Sequence, residues 1–573
     1  MNKHILTLLS LLIVLTISAQ EVEKDTLKTE EVNVVKPYTP KIKDAFKIKK
    51  NPVLTDDSIN DKKQVEYTIN SVPVASTFTP SKGKAKGVSK KQRERIYENY
   101  ASLGFGNYTT PKVEIFVHNS TTRDNDFGTK INFHSSNGGI KDVALDHNFM
   151  DANIEAYYKN SIDILDWQFD VGYHYQKQNW YGLNEENTLT DTQIDAIDPK
   201  QIYNGFKVGG NIKYYDSNFK GIDLGVNLFT DAYNSSEFHF LAKPKFEFPI
   251  SSEWIDLNMR LEYIGGKFEK NYAATNEIEY GFYNLGLSPN FKVNRDFLSI
   301  NFGAHLVYSG AVKNGELSKF FIYPNVTASY ELIQDIMTLY TGVTGDLHQL
   351  SYQGFVASNE FVSPTLNVAR TNEQYNAKLG VKGKLDAKIS YNLNASYKSE
   401  NAKPLYKLNE VLPTFTANNF QHGNSFQVIY DNVKTINVFG ELSFDFSKEI
   451  RFGGNASLNK YTLEAQEEAW NLPSLDASIF ANYDSKKVLI GAKLFFVGKR
   501  KDQYIDNSLL TPITEITNKS YLDLNVNLGY RFTNRLSAFI NGNNLFGKNY
   551  QKITNYKVQG IQVLGGIKYK FNL

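Results

Sequence analysis

The sequence predicts an all-β fold, a transmembrane antiparallel β-barrel of about 22 strands that follows an extended N-terminal periplasmic segment. Three observations lead to this prediction. Apolar residues recur at every second position over most of the 573 residues, and short connections alternate with long ones. After the N-terminus, no apolar run approaches the roughly 20 residues that a membrane-spanning helix requires. Strands must therefore carry the apolar surface of this protein.

The first 19 residues have the layout of a secretory signal peptide. Lys3 gives a basic start, an apolar run covers residues 5–17, and the small residues Ser18 and Ala19 precede the expected cleavage point. We expect export through the inner membrane and a final location in the Gram-negative outer membrane. The chain has no cysteine, which excludes disulfides and cysteine metal sites.

Residues 20–96 differ in composition and periodicity from the rest of the chain. They are charged, carry prolines as in PYTPKIKDAFKIKKNP, and show little sustained periodicity. Because a segment with few apolar residues cannot bury enough surface to offset the entropy of ordering, we predict a largely disordered periplasmic segment. The predicted division is therefore a signal peptide over 1–19, this segment over 20–96 and the barrel over 97–573.

The predicted strands have one apolar and one polar face. In YLDLNVNLGYRF, residues 521–532, leucine, valine, tyrosine and phenylalanine alternate with aspartate, asparagine, glycine and arginine. A soluble sandwich would bury the apolar face against a second sheet, and a soluble propeller is a further alternative. The polar face is too hydrophilic for a core, and strands of about 10 to 14 residues are long enough for a tilted span. We therefore expect the apolar face to meet lipid and the polar face to line the lumen.

The connections between predicted strands alternate in length. Tight turns, as at residues 294–296 and 533–534, alternate with long polar stretches, as at 351–372, 399–423 and 497–520. Short turns at one end and long loops at the other are typical of outer-membrane barrels, whose short turns lie in the periplasm. When residues 426–446 are treated as one long strand, the number of strands is about 22. An even number places both barrel termini on the periplasmic side.

The C-terminal sequence resembles the last three strands of TonB-dependent receptors. That family repeats an aromatic- and glycine-marked strand, a short turn, the phrase NNLF with a nearby tyrosine, and a closing strand that ends in an aromatic residue. The matching residues here are Tyr530, Phe532, Asn544, Leu545, Phe546, Tyr550, Tyr569 and Phe571. Near the N-terminus, residues 25–37 (DTLKTEEVNVVKP) are similar to the segment that these receptors offer to the energy-transducing protein TonB as an added strand. The resemblance assigns this contact to Leu27, Glu31, Val32, Val34 and Val35.

The resemblance is incomplete at the position of the plug. TonB-dependent receptors carry a globular plug domain between the TonB-binding segment and the barrel, whereas only the charged residues 20–96 precede the barrel here. We therefore expect the plug to be reduced or absent. Either this segment and the long loops close the lumen, or the barrel is open or gated by a partner.

The resemblance implies uptake or passage of a solute through the lumen. From the polar faces of the strands, we expect Asp170, Arg260, Glu262 and Arg531 to face the water. The alternative is a scaffold, or an assembly or secretion accessory barrel, that holds partner proteins. A barrel enzyme such as a lipase is a third class, but no HExxH or GxSxG motif occurs, and we expect no catalytic site, cofactor or metal.

The expected partners follow from the location and the resemblance. They are outer-membrane lipid and lipopolysaccharide, with TonB or another periplasmic protein and a surface lipoprotein as further candidates. A formal net charge of +2 gives no general attraction to nucleic acid.

Overall fold

The computed structural model describes residues 97–120, 124–185, 187, 189–250, 253–313, 317–412, 418–506 and 513–573. The strands in these ranges are β1 Asn99–Gly106, β2 Thr110–Asn119, β3 Asn125–Ser136, β4 Phe149–Ile162, β5 Leu165–Asn179, β6 Lys200–Tyr214, β7 Phe219–Asp231, β8 Ser236–Ile250, β9 Glu253–Phe268, β10 Ile278–Arg295, β11 Leu298–Ala311, β12 Lys319–Ile333, β13 Met337–Gln349, β14 Arg370–Lys384, β15 Ile389–Leu408, β16 Phe426–Asp445, β17 Ile450–Leu463, β18 Leu475–Asp484, β19 Val488–Val497, β20 Arg500–Ile505, β21 Ile513–Asn518, β22 Tyr521–Arg531, β23 Leu536–Asn543, β24 Gln551–Ile553, β25 Tyr556–Lys557 and β26 Gln562–Phe571. Two helices accompany them, α1 Asp191–Asp195 and α2 Tyr352–Ser358. No helix in the described ranges has the length and apolar character needed to cross a membrane.

A single closed antiparallel sheet of 22 strands forms the barrel. It consists of β1 to β19 followed by β22, β23 and β26. The first and last strands pair from Asn99 with Phe571 to Gly106 with Leu564. This pairing closes the sheet, so that its strands present no open edge. The predicted barrel of about 22 strands is confirmed, as is the single long strand, which forms β16 with 20 residues.

The apolar faces of the barrel strands point outward. Phe302, Ile322 and Leu379 are 65%, 67% and 64% exposed, which places them on the outer surface of the sheet. In water such a surface would cost about 25 cal/mol for each Å² of apolar area, whereas hydrocarbon removes that cost. In β22, Leu522 is exposed and its neighbour Asp523 is buried, as the two-faced sequence predicts.

The two rims of the barrel differ as predicted. At the rim that holds the barrel termini, turns are tight, and Asp296 and Asp335 adopt φ angles of +38° and +59° within them. Aspartate tolerates this left-handed conformation better than most residues with a side chain. The opposite rim carries the long loops.

The long loops contain structure that the sequence does not predict. The segment 351–372, expected to be a polar connection, contains the helix α2. The β20–β21 hairpin lies between β19 and β22, and the β24–β25 hairpin lies between β23 and β26. Alternation alone missed these elements because they are short and pack on each other. The main buried apolar core of the described residues lies among them.

Candidate functional site

Charged side chains of the inner wall pair with each other across the lumen. Arg260 of β9 donates two hydrogen bonds to the carboxylate of Asp346, at 3.0 and 3.1 Å. Asp346 belongs to β13, four strands further along the sheet, so this contact runs inside the barrel. Glu262 lies 3.0 Å from the Nε2 atom of His239 and accepts a hydrogen bond from Asn284 at 3.1 Å. The structure thus places Arg260 and Glu262 inside, each already engaged by neighbouring side chains.

Arg531 lies at the rim with the tight turns. Its Nη1 atom donates to the Oδ1 atom of Asp484 at 2.8 Å, at the turn between β18 and β19. A partly exposed ion pair of this kind contributes roughly 0 to 1 kcal/mol. Arg531 therefore borders the mouth at the tight-turn rim, away from the middle of the lumen.

Asp170 lies in a recess of the inner wall with a volume of about 520 Å³. Strands β3 to β7 supply its walls, and helix α2 contributes one side chain. We call it the wall recess. Its polar side chains are Asn132, Asp151, Asn153, Glu155, Tyr157, Asp170, His174, Lys207, Asn227 and Gln353.

The long loops meet in a buried aromatic core at the opposite rim. We call it the loop cap and define it by the buried loop residues Trp180, Tyr352, Phe355, Val356, Phe361, Val362, Leu366, Val368, Phe420, Tyr504 and Tyr556. The rings of Phe361 and Tyr556 stack with centroids 3.5 Å apart, and Trp180 meets Phe420 edge to face at 5.8 Å. These residues come from connections around the whole barrel, so the loop cap spans its long-loop mouth.

Two buried carboxylates of the wall fasten helix α2 of the loop cap. Glu237 of β8 accepts hydrogen bonds from the backbone N–H groups of Tyr352 and Gln353, at 2.6 and 3.1 Å, and from the hydroxyl of Tyr280 at 2.6 Å. Asp231 accepts a hydrogen bond from the Tyr352 hydroxyl at 2.7 Å. The first N–H groups of a helix have no partner within the helix, and here Glu237 supplies one. Charge-assisted bonds of this type contribute about 1.5 to 3 kcal/mol each.

A third buried carboxylate joins several loops to each other. Asp502 of the β20–β21 hairpin accepts hydrogen bonds from the Thr554 hydroxyl at 2.6 Å, from the Asn471 amide at 2.8 Å and from the Leu408 backbone N–H at 3.1 Å. Burial raises the pKa of the Asp502 carboxyl above its usual value, and the hydrogen bonds that it accepts oppose that rise. Asp502 therefore couples the conformations of separate connections.

The functional groups of these sites are suited to noncovalent recognition. They are carboxylates, amides, hydroxyls, imidazoles, guanidinium groups and one lysine, and in the part of the chain that the structure describes no three His, Cys, Asp or Glu side chains are grouped so as to hold a metal ion. The predicted periplasmic segment lies outside the described residues. The same holds for the predicted TonB-binding residues, which are Leu27, Glu31, Val32, Val34 and Val35.

Comparisons with known proteins match the fold and not the sequence. No protein-family model and no curated protein sequence matches the chain. The iron transporter FrpB from Neisseria meningitidis superposes with a TM-score of 0.63 at 10% identity, over 84% of this chain and 82% of that one. The ferric-catecholate import receptor Fiu from Escherichia coli K12 gives 0.59 at 10% identity, over 83% and 82%. The pyoverdine outer membrane receptor FpvA from Pseudomonas aeruginosa PAO1 gives 0.58 at 12% identity, over 83% and 79%.

The chain has the barrel fold of TonB-dependent receptors. The resemblance predicted from its C-terminal strands is confirmed at the level of the fold. The fold of TonB-dependent receptors also supports a location in the outer membrane.

The residues that fasten the loop cap on this TonB-dependent receptor-like barrel were missed at the sequence level. Glu237 and Asp231 look like ordinary polar positions at a strand end, and Asp502 lies in a stretch predicted to be a polar loop. The available signal was the aromatic content of those loops, as at Trp180 and Phe420, because loops exposed to water do not need large apolar side chains.

Proposed function

We propose that this protein mediates uptake or passage of a solute across the outer membrane through its lumen. A closed barrel with an apolar outer face and a polar inner face, which contains the wall recess, carries the proposal. The similar structures support it, because FrpB is a transporter and Fiu and FpvA are receptors. None of these three is an enzyme, which agrees with a role that requires no bond chemistry. Export by the signal peptide, with cleavage after Ala19, is part of the proposal.

Passage requires the loop cap to move. Its packing spans the mouth at the long-loop rim, while hydrogen bonds to Glu237 and Asp231 hold helix α2 on the wall. The cap is fastened by side-chain packing and a few hydrogen bonds, whereas the wall is held by a closed backbone ladder. The cap is thus the part that opens, and it takes the position of a gate in a barrel whose plug we propose to be reduced or absent.

Conductance tests the proposed passage. The conductance of the purified full-length mature protein is measured in planar bilayers. It is compared with that of a variant in which residues 352–358 are replaced by a glycine-serine linker of equal length. We expect small or rare openings for the parent and sustained conductance for the variant. A folded variant with no conductance would count against passage and would favour a scaffold that holds partner proteins.

We further propose that TonB drives this passage by pairing with residues 25–37 as an added strand. The test is binding of a purified periplasmic TonB domain to the peptide DTLKTEEVNVVKP and to a scrambled peptide of the same composition. Binding of the first peptide alone supports driven uptake, and equal or no binding overturns this part of the proposal. Outer-membrane lipid and lipopolysaccharide are the proposed contacts of the outer face, and a surface lipoprotein is a further proposed partner at the long-loop rim.

A further inference from the structure

Two glycines line the wall recess, Gly172 of β5 and Gly205 of β6. Beside the recess, Gly209 of β6 pairs with Gly225 of β7, and a Cβ atom placed on Gly225 would have no neighbouring atom within 4 Å, so the wall next to the recess is open to the lumen. At Gly205 a Cβ atom would lie 3.4 Å from the Nε2 atom of Gln353, which brings the loop cap to the edge of the recess.

Two carboxylates of the recess keep free hydrogen-bonding capacity. Asp170 accepts one hydrogen bond from Gln168 at 2.6 Å, and Glu155 accepts one from Asn153 at 3.0 Å. An ionised carboxylate accepts about four hydrogen bonds, so both retain acceptors. Neither forms an ion pair within 4.0 Å with any cation of the described residues. They differ in this from Asp151, which lies 2.8 Å from His174.

The recess also holds a positive charge that no carboxylate neutralises. Lys207 forms no ion pair within 4.0 Å among the residues that the structure describes. Glu155 pairs with Gly172 on the next strand, and Gly172 pairs with Lys207 on the strand after it. The backbones of Glu155 and Lys207 are therefore about 10 Å apart, two strand spacings, with a glycine between them. Opposite charges thus stand on either side of Gly172 in the recess.

We propose that the wall recess binds a zwitterionic solute of the amino-acid or short-peptide class. Its ammonium group is held by Glu155 and Asp170, and its carboxylate by Lys207. A neutral sugar would displace water from both signs of charge without neutralising either, which is unfavourable, whereas a zwitterion pairs with both. This inference rests on the proposed passage of a solute, since it names the class of solute that the lumen selects.

Calorimetric titration of the full-length mature protein in detergent tests the inference, with trialanine as the probe. We expect trialanine to bind, and Glu155→Gln and Lys207→Met each to weaken binding by about 10- to 100-fold, the loss expected for one charge-assisted bond. The matched control is Lys493→Met, which removes an inner-face lysine of β19 outside the recess and should leave binding unchanged. Resistance of each folded barrel to unfolding in unheated detergent gels shows that the variants remain intact.

Two further probes separate charge recognition from general polarity. N-acetyl-trialanine amide lacks both terminal charges, and maltotriose is neutral and polyhydroxylated; we expect neither to bind measurably. If either binds as tightly as trialanine, or if Lys207→Met changes nothing, the inference is wrong. Conductance of the linker variant without trialanine binding would overturn the inference and leave the proposed passage standing. Trialanine binding without conductance would overturn the proposed passage and leave the binding site standing.

Discussion

Large apolar side chains are exposed on the barrel wall and buried in the loop cap. Phe302 and Ile322 of the wall are about two-thirds exposed, whereas Trp180 and Phe420 of the loop cap are fully buried. The wall needs no apolar core, because hydrocarbon takes that role and its backbone groups are paired around the closed sheet. The loops emerge beyond the hydrocarbon, so they must bury their aromatic residues against each other. The medium, more than the residue type, decides which side is covered.

This contrast predicts that core truncation harms the cap and spares the wall. Phe420→Ala removes a buried ring and should destabilise the loop cap by about 3 to 5 kcal/mol. Because 1.4 kcal/mol corresponds to a tenfold change in an equilibrium constant, loop cleavage by a protease should accelerate by at least about 100-fold. The measurement is limited proteolysis of the native protein in detergent.

Phe302→Ala is the matched control for that experiment. It removes the same ring from the outer face of β11, where the side chain is 65% exposed. Loop cleavage should then proceed at the parent rate. Equal acceleration by both variants would mean that wall and cap unfold together and would break the comparison.

A charge placed on the wall should distinguish its two faces. Ile479→Arg puts a cation on the outer face near the middle of β18 and should cost about 2 to 4 kcal/mol of folding free energy in lipid. The adjacent Ser478 contacts Asn455 inside the barrel at 3.2 Å. We expect Ser478→Arg to cost less than about 1 kcal/mol, because its cation stays in water. Reversible urea unfolding in lipid vesicles measures both, and equal costs would contradict the outward apolar face.

The sequence predicts the wall far better than the cap, and the reason is physical. A strand between lipid and water alternates with period two, so faces, turns and strand number follow from the pattern, as for Leu522 and Asp523. The cap residues interact over long distances along the chain, as when Tyr556 stacks on Phe361, and no local period records such contacts. For Arg531, the pattern indicates a side of the strand but not a height along the barrel, so it could not show that this side chain pairs with Asp484 at the rim.

The anchor between the two regions can be weakened without removing a ring. Glu237→Gln keeps the shape of the side chain but replaces one accepting oxygen by an NH₂ group beside the N–H donors of Tyr352 and Gln353. We expect a loss of about 1.5 to 3 kcal/mol from the attachment of α2. Openings in planar bilayers should become about 10- to 100-fold more frequent. Asp223→Asn, at an exposed carboxylate paired with Lys245 at 2.6 Å, should leave the frequency unchanged.

The smallest expected effect is a pH dependence of the stability of the loop cap. Burial raises the pKa of Asp502, so its protonated form is favoured in the folded cap. Its contribution to stability is fully present below the unfolded pKa of about 3.9 and is lost as the pH rises through the folded value. The loops should therefore be cleaved more slowly at pH 5 than at pH 8, after correction for protease activity on a free peptide.

Asp502→Asn isolates this contribution from the other buried titratable groups of the cap. Burial also raises the pKa of Glu360, which acts in the same direction, and lowers the pKa of His422, which opposes it as the pH falls below about 6.5. The informative quantity is thus the ratio of the cleavage rates at pH 8 and pH 5, compared between the parent and the variant. We expect a smaller ratio in Asp502→Asn, because its side chain does not titrate. An unchanged ratio would mean that Asp502 stays ionised in the folded cap, with its hydrogen bonds from Thr554 and Asn471 outweighing burial.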